Sequence, residues 1–308
     1  MAKPCSISFY SLFKVKKLKI ASSELILNPD GSIYHLNLRP ENIADTIITV
    51  GDQDRVEKVT SLFDDIIFST QKREFKTQTG YYKGKKLTVI STGIGIDNID
   101  IVMNELDALV NIDLKTREIK KELKSLNIIR IGTSGGIQPE VPLDHFVMGK
   151  AGIGFDGLIH YYKHENVLNT EATIKLNAHL RLNSGKPTAY VVDASDKLTR
   201  LFEGKKGVYS GYTGTNLGFY GPQNRTLRLG LSDPSFIDQL VEFEFNRHKI
   251  SNLEMESSAI YAMSKLLGHH AVSMNAIIAN RSTKEFSKDP KASVKYLIRF
   301  VLDSLTEQ

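Results

Sequence analysis

The sequence predicts an α/β fold, a single-domain three-layer sandwich whose central mixed sheet is flanked by helices. Short β-rich runs alternate along the chain with stretches of helical periodicity, the pattern of interleaved rather than segregated layers. The 308 residues, 41% of them hydrophobic, suffice for one large core. No Pro/Gly/Ser-rich linker and no internal repeat divides them.

Residues 1–30 read as a poorly ordered N-terminal extension ahead of one domain over 31–308. Its first twenty residues carry Lys3, Lys14, Lys16, Lys17 and Lys19 without an acid, and most of these lysines follow the mildly apolar 6–13 stretch, the reverse of a signal peptide. Residues 45–50 are the first buried strand, ended by Gly51 and followed by a helix over 56–62. Residues 86–90 are the second, ending in Ser91-Thr-Gly-Ile-Gly95 before a helix over 99–110. The charged stretch 113–124 reads as a surface insertion. Residues 127–131 form a third strand, stopped by Gly132-Thr-Ser-Gly-Gly136. Strands over 189–192 and 271–279 and a closing helix over 292–305 complete the pattern. In such sheets ligands gather at the loops beyond strand ends.

A single cysteine, Cys5, excludes an intramolecular disulfide framework and a cysteine metal cluster, which suits a reducing compartment. The net charge of +5 and pI near 9.0 suit an anionic ligand. They do not make a nucleic-acid binder, because the basic residues are dispersed among 35 acids and no basic-aromatic module is readable. No apolar run reaches membrane-spanning length. The expectation is a cytoplasmic protein.

Chemistry concentrates in the loops. Gly51-Asp-Gln-Asp-Arg55 follows a buried strand, so backbone N–H groups can approach an anion and Arg55 can add a two-pronged contact. An ordinary turn with an aspartate cap reads equally well from these residues alone. Arg130, in Arg130-Ile-Gly-Thr133, would be costly to bury unpaired, and a structural ion pair is its plain alternative. Lys72-Arg73-Glu74-Phe75 is a basic turn that would ordinarily be a solvated edge. Glu254-Met-Glu256, ahead of a small-residue helix, offers carboxylates that could accept from a sugar diol or merely cap the helix. No Walker loop and no spaced dinucleotide fingerprint is present. His145 and the pair His269-His270 lack partners at ligand spacing and read as surface or satisfied histidines.

Taken in order, Gly51–Arg55, Ser91–Gly95, Arg130–Thr133 and Glu254–Ser257 resemble the nucleoside phosphorylase family, which includes purine nucleoside and uridine phosphorylases. The resemblance runs from about His35 to the C-terminus. Phe219-Tyr-Gly-Pro-Gln223-Asn-Arg225 resembles the uracil-reading loop of the pyrimidine branch. The resemblance implies phosphate held by Gly51, Arg55, Arg130 and Thr133, with Arg73 entering from a neighbouring subunit. It implies ribose held by Thr133, Glu254, Met255 and Glu256, Glu256 gripping the 2′ and 3′ hydroxyls, and His35 of a partner chain meeting the 5′ hydroxyl. Phe219, Gln223, Arg225 and Arg281 would form the base pocket, with Arg130, Gln223, Arg225 and Glu256 carrying catalysis.

The implied reaction is reversible phosphorolysis of uridine to uracil and ribose 1-phosphate, in a homodimer or a hexamer of dimers with shared sites. Phosphate is a co-substrate and no cofactor is expected. The family's purine branch resembles a Ser-Asp pair after the late strand, where this chain has Asn280-Arg281-Ser282 without an acid. A purine phosphorylase or a nucleosidase of the same fold, and a non-catalytic nucleoside-binding protein, are the alternatives. Two positions depart from the family. Gln53 replaces a proline and should loosen the phosphate turn. Asn98 replaces the serine that, with Glu74 and Ile94, would hold potassium, which puts that ion in question.

Overall fold

The computed structural model describes residues 19–181 and 188–307. In chain order its strands and α-helices are β1 (Thr46–Val50), α1 (Gln53–Thr60), β2 (Asp65–Lys72), β3 (Phe75–Tyr82), β4 (Lys85–Ser91), α2 (Ile96–Asn111), β5 (Ile112–Asp113), β6 (Glu118–Ile119), β7 (Asn127–Gly136) and β8 (Phe146–Gly154). They continue with α3 (Thr170–His179), β9 (Tyr190–Asp193), α4 (Asp196–Thr199), β10 (Val208–Thr215), α5 (Phe236–Glu242), β11 (Glu244–Phe245), β12 (His248–Glu254), α6 (Ser257–Leu267), β13 (His270–Asn280), β14 (Glu285–Phe286) and α7 (Pro290–Thr306).

Most strands join one mixed sheet in the order β11-β12-β10-β8-β13-β7-β1-β4-β3-β2. β4, β1, β7 and β13 run parallel, while β2, β3 and β4 form antiparallel hairpins. The buried runs Ile47-Ile48, Val89-Ile90 and Ile128-Ile129 are apolar on both sides, as parallel strands covered by helices must be. α2 and α6 cover one face, burying Ile99, Val102, Leu106, Ile260 and Met263. α1 and α7 cover the other with Val56, Val59, Leu297, Val301 and Leu302. A third core lies beneath α3 and α5, around Leu176, Phe236 and Leu240. The layered sandwich read from the sequence is the fold observed.

Two expectations change. β7 does not stop at Gly132. It continues through the glycines to Gly136, because β13 pairs with it along its whole length and β12 adds Asn252–Gly136 and Leu253–Gly135 pairings. That last contact closes β7, β13, β8, β10 and β12 into a ring and brings the ends of β7 and β12 side by side. The packed body also begins before residue 31. Leu25 is buried in the core, and the Arg117 side chain of the β5–β6 hairpin donates to the Leu25 carbonyl. Residues 1–18 of the expected extension lie outside the described residues. Among the described residues no helix is long and apolar enough to cross a membrane.

Candidate active site

The strand ends built by the ring open onto a cavity of about 860 Å³. Gly51, Arg55, Glu74, Ile94, Arg130 and Thr133 line one part of it, and Glu254, Met255, Glu256, Phe219, Gln223 and Arg225 the rest. The four sequence motifs therefore converge on one site.

Arg130 is its buried centre, only 6% exposed. It leaves β7 on the same face as Gly132, two residues on, and its guanidinium folds back along the strand. A Cβ at Gly132 would lie 1.7 Å from Arg130 Nη1, so glycine is the residue that makes this conformation possible. Nη1 donates to Asn275 Oδ1 at 2.7 Å, while Nη2 donates to Glu256 and lies 3.2 Å from Glu254 Oε2. Burial opposes the Arg130 charge, but the two carboxylates outweigh it and hold the guanidinium above the usual arginine range. Arg55 stands nearby, its Nη1 donating to the Ile131 carbonyl at 3.3 Å. Burial, then the Arg130 charge, lowers its pKa. An anion beside Arg55 and Arg130 would relieve this repulsion.

The structure divides the two carboxylates of the Glu254-Met255-Glu256 segment. Glu254 is the cap. It accepts from the Glu256 N–H at 2.9 Å, from the Ser257 N–H at 3.0 Å and from the Thr215 hydroxyl at 2.6 Å, in addition to Arg130. Its oxygens are occupied within the chain, which leaves no capacity for the ribose contact expected of it. Glu256 has no cap bond. Its Oε1 accepts from the Gly95 N–H at 2.7 Å and its Oε2 from Arg130. Burial raises the Glu256 carboxyl's pKa, the Glu254 charge adds to this, and Arg130 draws it back. Glu256 is thus the carboxylate between the cations and the base loop.

At the far end, Gln223 is buried and Arg225 stacks over the Phe219 ring, its guanidinium carbon 3.9 Å from the ring centroid. Arg225 Nη1 donates to Gln223 Oε1 and, at 2.8 Å, to the Phe219 carbonyl. Burial, then the Arg281 charge, lowers Arg225 to about 10, so it stays charged at neutral pH. Arg281 does not line the cavity, contrary to its expected place in the base pocket. Its guanidinium donates to the Gln223 and Asn224 carbonyls, the latter at 2.9 Å, and so holds the base loop from behind.

His35 and Arg73 also lie outside the cavity of their own chain. Arg73 sits at the tip of the two-residue β2–β3 turn with φ +54°, a left-handed conformation that a non-glycine residue adopts at some cost. Gln53, expected to loosen the phosphate loop, does the opposite. Its Nε2 donates to the Arg73 carbonyl at 2.6 Å and its Oε1 accepts from Gln71 at 3.3 Å, tying that loop to the hairpin tip.

Of the expected potassium residues, Glu74 and Asn98 meet on Gly93 (φ +74°). A Cβ there would lie 3.2 Å from Glu74 Cγ and 2.4 Å from Asn98 Nδ2, with Ile94 exposed beside them. One carboxylate, one amide and the local carbonyls are the oxygen donors that a hard cation takes. Sequence reasoning missed Asn275, Thr215 and the Gly95 amide. All three meet Arg130 or the glutamates through pairings far apart in sequence, so no local spacing marks them.

A family model described as the phosphorylase superfamily matches residues 45–305. The chain belongs to that superfamily. Within it, a uridine phosphorylase of Thermococcus kodakarensis is 29% identical over 275 residues, covering 88% of this chain and 85% of its own. A DeoD-type purine nucleoside phosphorylase of Listeria welshimeri is 27% identical over 244 residues, covering 78% and 84%. The crystal structure of a Trypanosoma brucei nucleoside phosphorylase, a protein that shows uridine phosphorylase activity, superposes with a TM-score of 0.81 at 30% identity, covering 91% of this chain and 99% of that one. Superfamily members that resemble this chain thus include both nucleoside classes, and the base end of the site must discriminate between them.

Proposed function

We propose that the protein catalyses the reversible phosphorolysis of uridine to uracil and ribose 1-phosphate, as a pentosyltransferase of the cytoplasm. The observation that carries this reading is the order of groups in one cavity: the Arg55–Arg130 cation pair, then Glu256, then the Gln223–Arg225 pair. Phosphate beside the two guanidiniums is itself the nucleophile, so no protein nucleophile is required. Its oxygen attacks C1′ as the C1′–N1 bond breaks and the bonding electrons pass to the base. Gln223 and Arg225 then stabilise the uracil anion as oxyanion donors do. Glu256 accepts from ribose hydroxyls and fixes the sugar between the two ends, which turns the reaction into one of orientation. His35 and Arg73 lie outside their own chain's cavity, and this supports a homodimer, or a hexamer of dimers, in which each reaches a neighbour's site.

The purine reading is weaker on the residues present. At 280–282, Asn280 Nδ2 donates to the Gln138 and Val141 carbonyls, and Arg281 is committed to the base loop. Neither is an acid that could protonate a purine ring. Purified protein is expected to release uracil from uridine only when phosphate is present, and to cleave inosine more slowly. Release that is indifferent to phosphate would make it a nucleosidase, and faster inosine cleavage a purine phosphorylase. Binding of uridine without turnover would sink the enzyme reading altogether.

Gln53 offers a test of the phosphate end. It is the first residue of α1, where proline is well tolerated, so Gln53→Pro should keep the helix and remove the side-chain ties to Arg73 and Gln71. One exposed hydrogen bond is worth about 0.5–1.5 kcal/mol. The expected result is a rise of roughly 2–10-fold in KM for phosphate, with KM for uridine and the melting temperature little changed. An unchanged phosphate KM would show that the tie does not reach the site.

A further inference from the structure

The register that pairs β13 with β7 sets Ser273 beside Arg130 and Asn275 beside Gly132. Side chains two apart on a strand share a face, so the guanidinium that folds along β7 over Gly132 comes level with Asn275. Asn275 is wholly buried, and both ends of its amide are engaged. Oδ1 accepts from Arg130 Nη1 at 2.7 Å, and Nδ2 donates to Ser273 Oγ at 3.0 Å. Ser273 Oγ also accepts at 2.8 Å from the hydroxyl of Ser257, the first residue of α6. The Ser257 N–H returns to Glu254 at 3.0 Å, and Glu254 Oε2 lies 3.2 Å from Arg130 Nη2. These contacts close a circuit of buried groups, Arg130–Asn275–Ser273–Ser257–Glu254. Asn275, Ser273 and Ser257 do not line the cavity, so whatever they do for a ligand passes through Arg130 or Glu254.

A guanidinium carries only donors, so the oxygen of the amide must face it, and Ser273 takes the amide's own N–H. The charge of that acceptor matters as much as its place. Arg55 and Arg130 are two cations against the two carboxylates Glu254 and Glu256. A third carboxylate would tip the cluster negative toward an incoming anion, whereas an amide accepts from Arg130 and leaves its charge intact. We propose that Asn275, locked by Ser273, is a positioning residue for phosphate: a neutral acceptor that holds the Arg130 guanidinium against β7 without neutralising it. The proposal rests on the phosphorolysis reading above for the presence of phosphate. What it adds is the pair of buried residues, outside the cavity, that set Arg130 for that ligand.

Separate KM values for phosphate and uridine, each measured with the other substrate saturating, test it on the full-length protein. Asn275→Ala should raise KM for phosphate about tenfold, within the range of a hydrogen bond to a charged group. KM for uridine should stay within about twofold, since Glu256 keeps its bond from the Gly95 N–H. Asn275→Asp keeps the shape and the acceptor, and the Ser273 hydroxyl can turn to donate to its second oxygen. Its phosphate KM should still rise about tenfold, because the added charge competes with phosphate for Arg130. A wild-type phosphate KM in Asn275→Asp would overturn the neutral-acceptor role. Ser273→Ala is the mildest change. It leaves Arg130 and its partners in place, and it decides the question if the Asn275 variants do not fold. A rise of about threefold in phosphate KM is expected there, with uridine KM unmoved. Added to Asn275→Ala it should do nothing further, because its effect passes through the amide. An unmoved phosphate KM, equal rises for both substrates, or losses at the two residues that simply add would overturn the proposal. Wild type that releases uracil equally well without phosphate, or not at all, would bring down the phosphorolysis reading itself. That result is distinct from a phosphate-dependent enzyme whose phosphate KM ignores Asn275 and Ser273.

Discussion

Replacing Gly132 with alanine is expected to lower kcat/KM for uridine by about 10²–10³, the loss typical of one preorganised donor. The added Cβ would stand 1.7 Å from Arg130 Nη1 and 2.6 Å from Asn275 Oδ1, both deep in the sheet. Neither neighbour is a flexible surface side chain that can move aside. The guanidinium would have to leave the strand face, and with it the contacts to Glu254, Glu256 and Asn275. Breaking a buried charge pair costs about 3–5 kcal/mol, so denaturant unfolding should register the change together with the kinetics. Gly135→Ala is the control on the same strand. Its Cβ would meet Arg225 Nη2 at an ordinary 3.4 Å, so a much smaller effect is expected there. Wild-type activity in Gly132→Ala would show that Arg130 does not need its folded-back conformation.

That glycine also illustrates how far the sequence could be read. The strands at 45–50, 86–90 and 271–279 and the closing helix are legible because uninterrupted apolar runs and helical spacing are local properties. At 132–136 the same local reading fails, since a run of glycines looks like a strand end. The deciding information is the β13 and β12 partners, more than a hundred residues away. The site behaves likewise. Its arginines and glutamates are visible as motifs, but the assignment of each carboxylate is not. Glu254 becomes the cap because Thr215, on the neighbouring β10, and the first N–H groups of α6 surround it. Glu256, two residues on, turns to the Gly95 loop. Arg281 looks from the sequence like a base contact and proves to be a brace, because the carbonyls it meets belong to the fold of the 221–224 turn. Long-range pairing thus decides which member of a legible motif faces the ligand.

Arg225→Ala should produce the second large loss, and it should depend on the base. Arg225 is held by three contacts at once: the Phe219 ring, the Phe219 carbonyl and Gln223 Oε1. Removing it takes away a charge at the base end and frees the Gln223 amide, which among the described residues is otherwise fixed only by a 3.4 Å bond from Nε2 to the Glu254 carbonyl. Two donors to the departing uracil are disturbed together. The expected fall in kcat/KM for uridine is about 10²–10³, with kcat carrying most of it because negative charge on the base develops during bond cleavage. Phosphate KM should move little, since Arg55 and Arg130 do not touch this loop. Arg225→Lys is not a rescue, because an ammonium lacks the planar fork and the stack on Phe219; it should recover only a small part of the rate. Any residual inosine cleavage should be nearly the same in both variants and in wild type. If Arg225→Ala instead cleaves uridine at the wild-type rate while folded, Arg225 does not read the base, and its lowered pKa reflects only its burial beside Arg281.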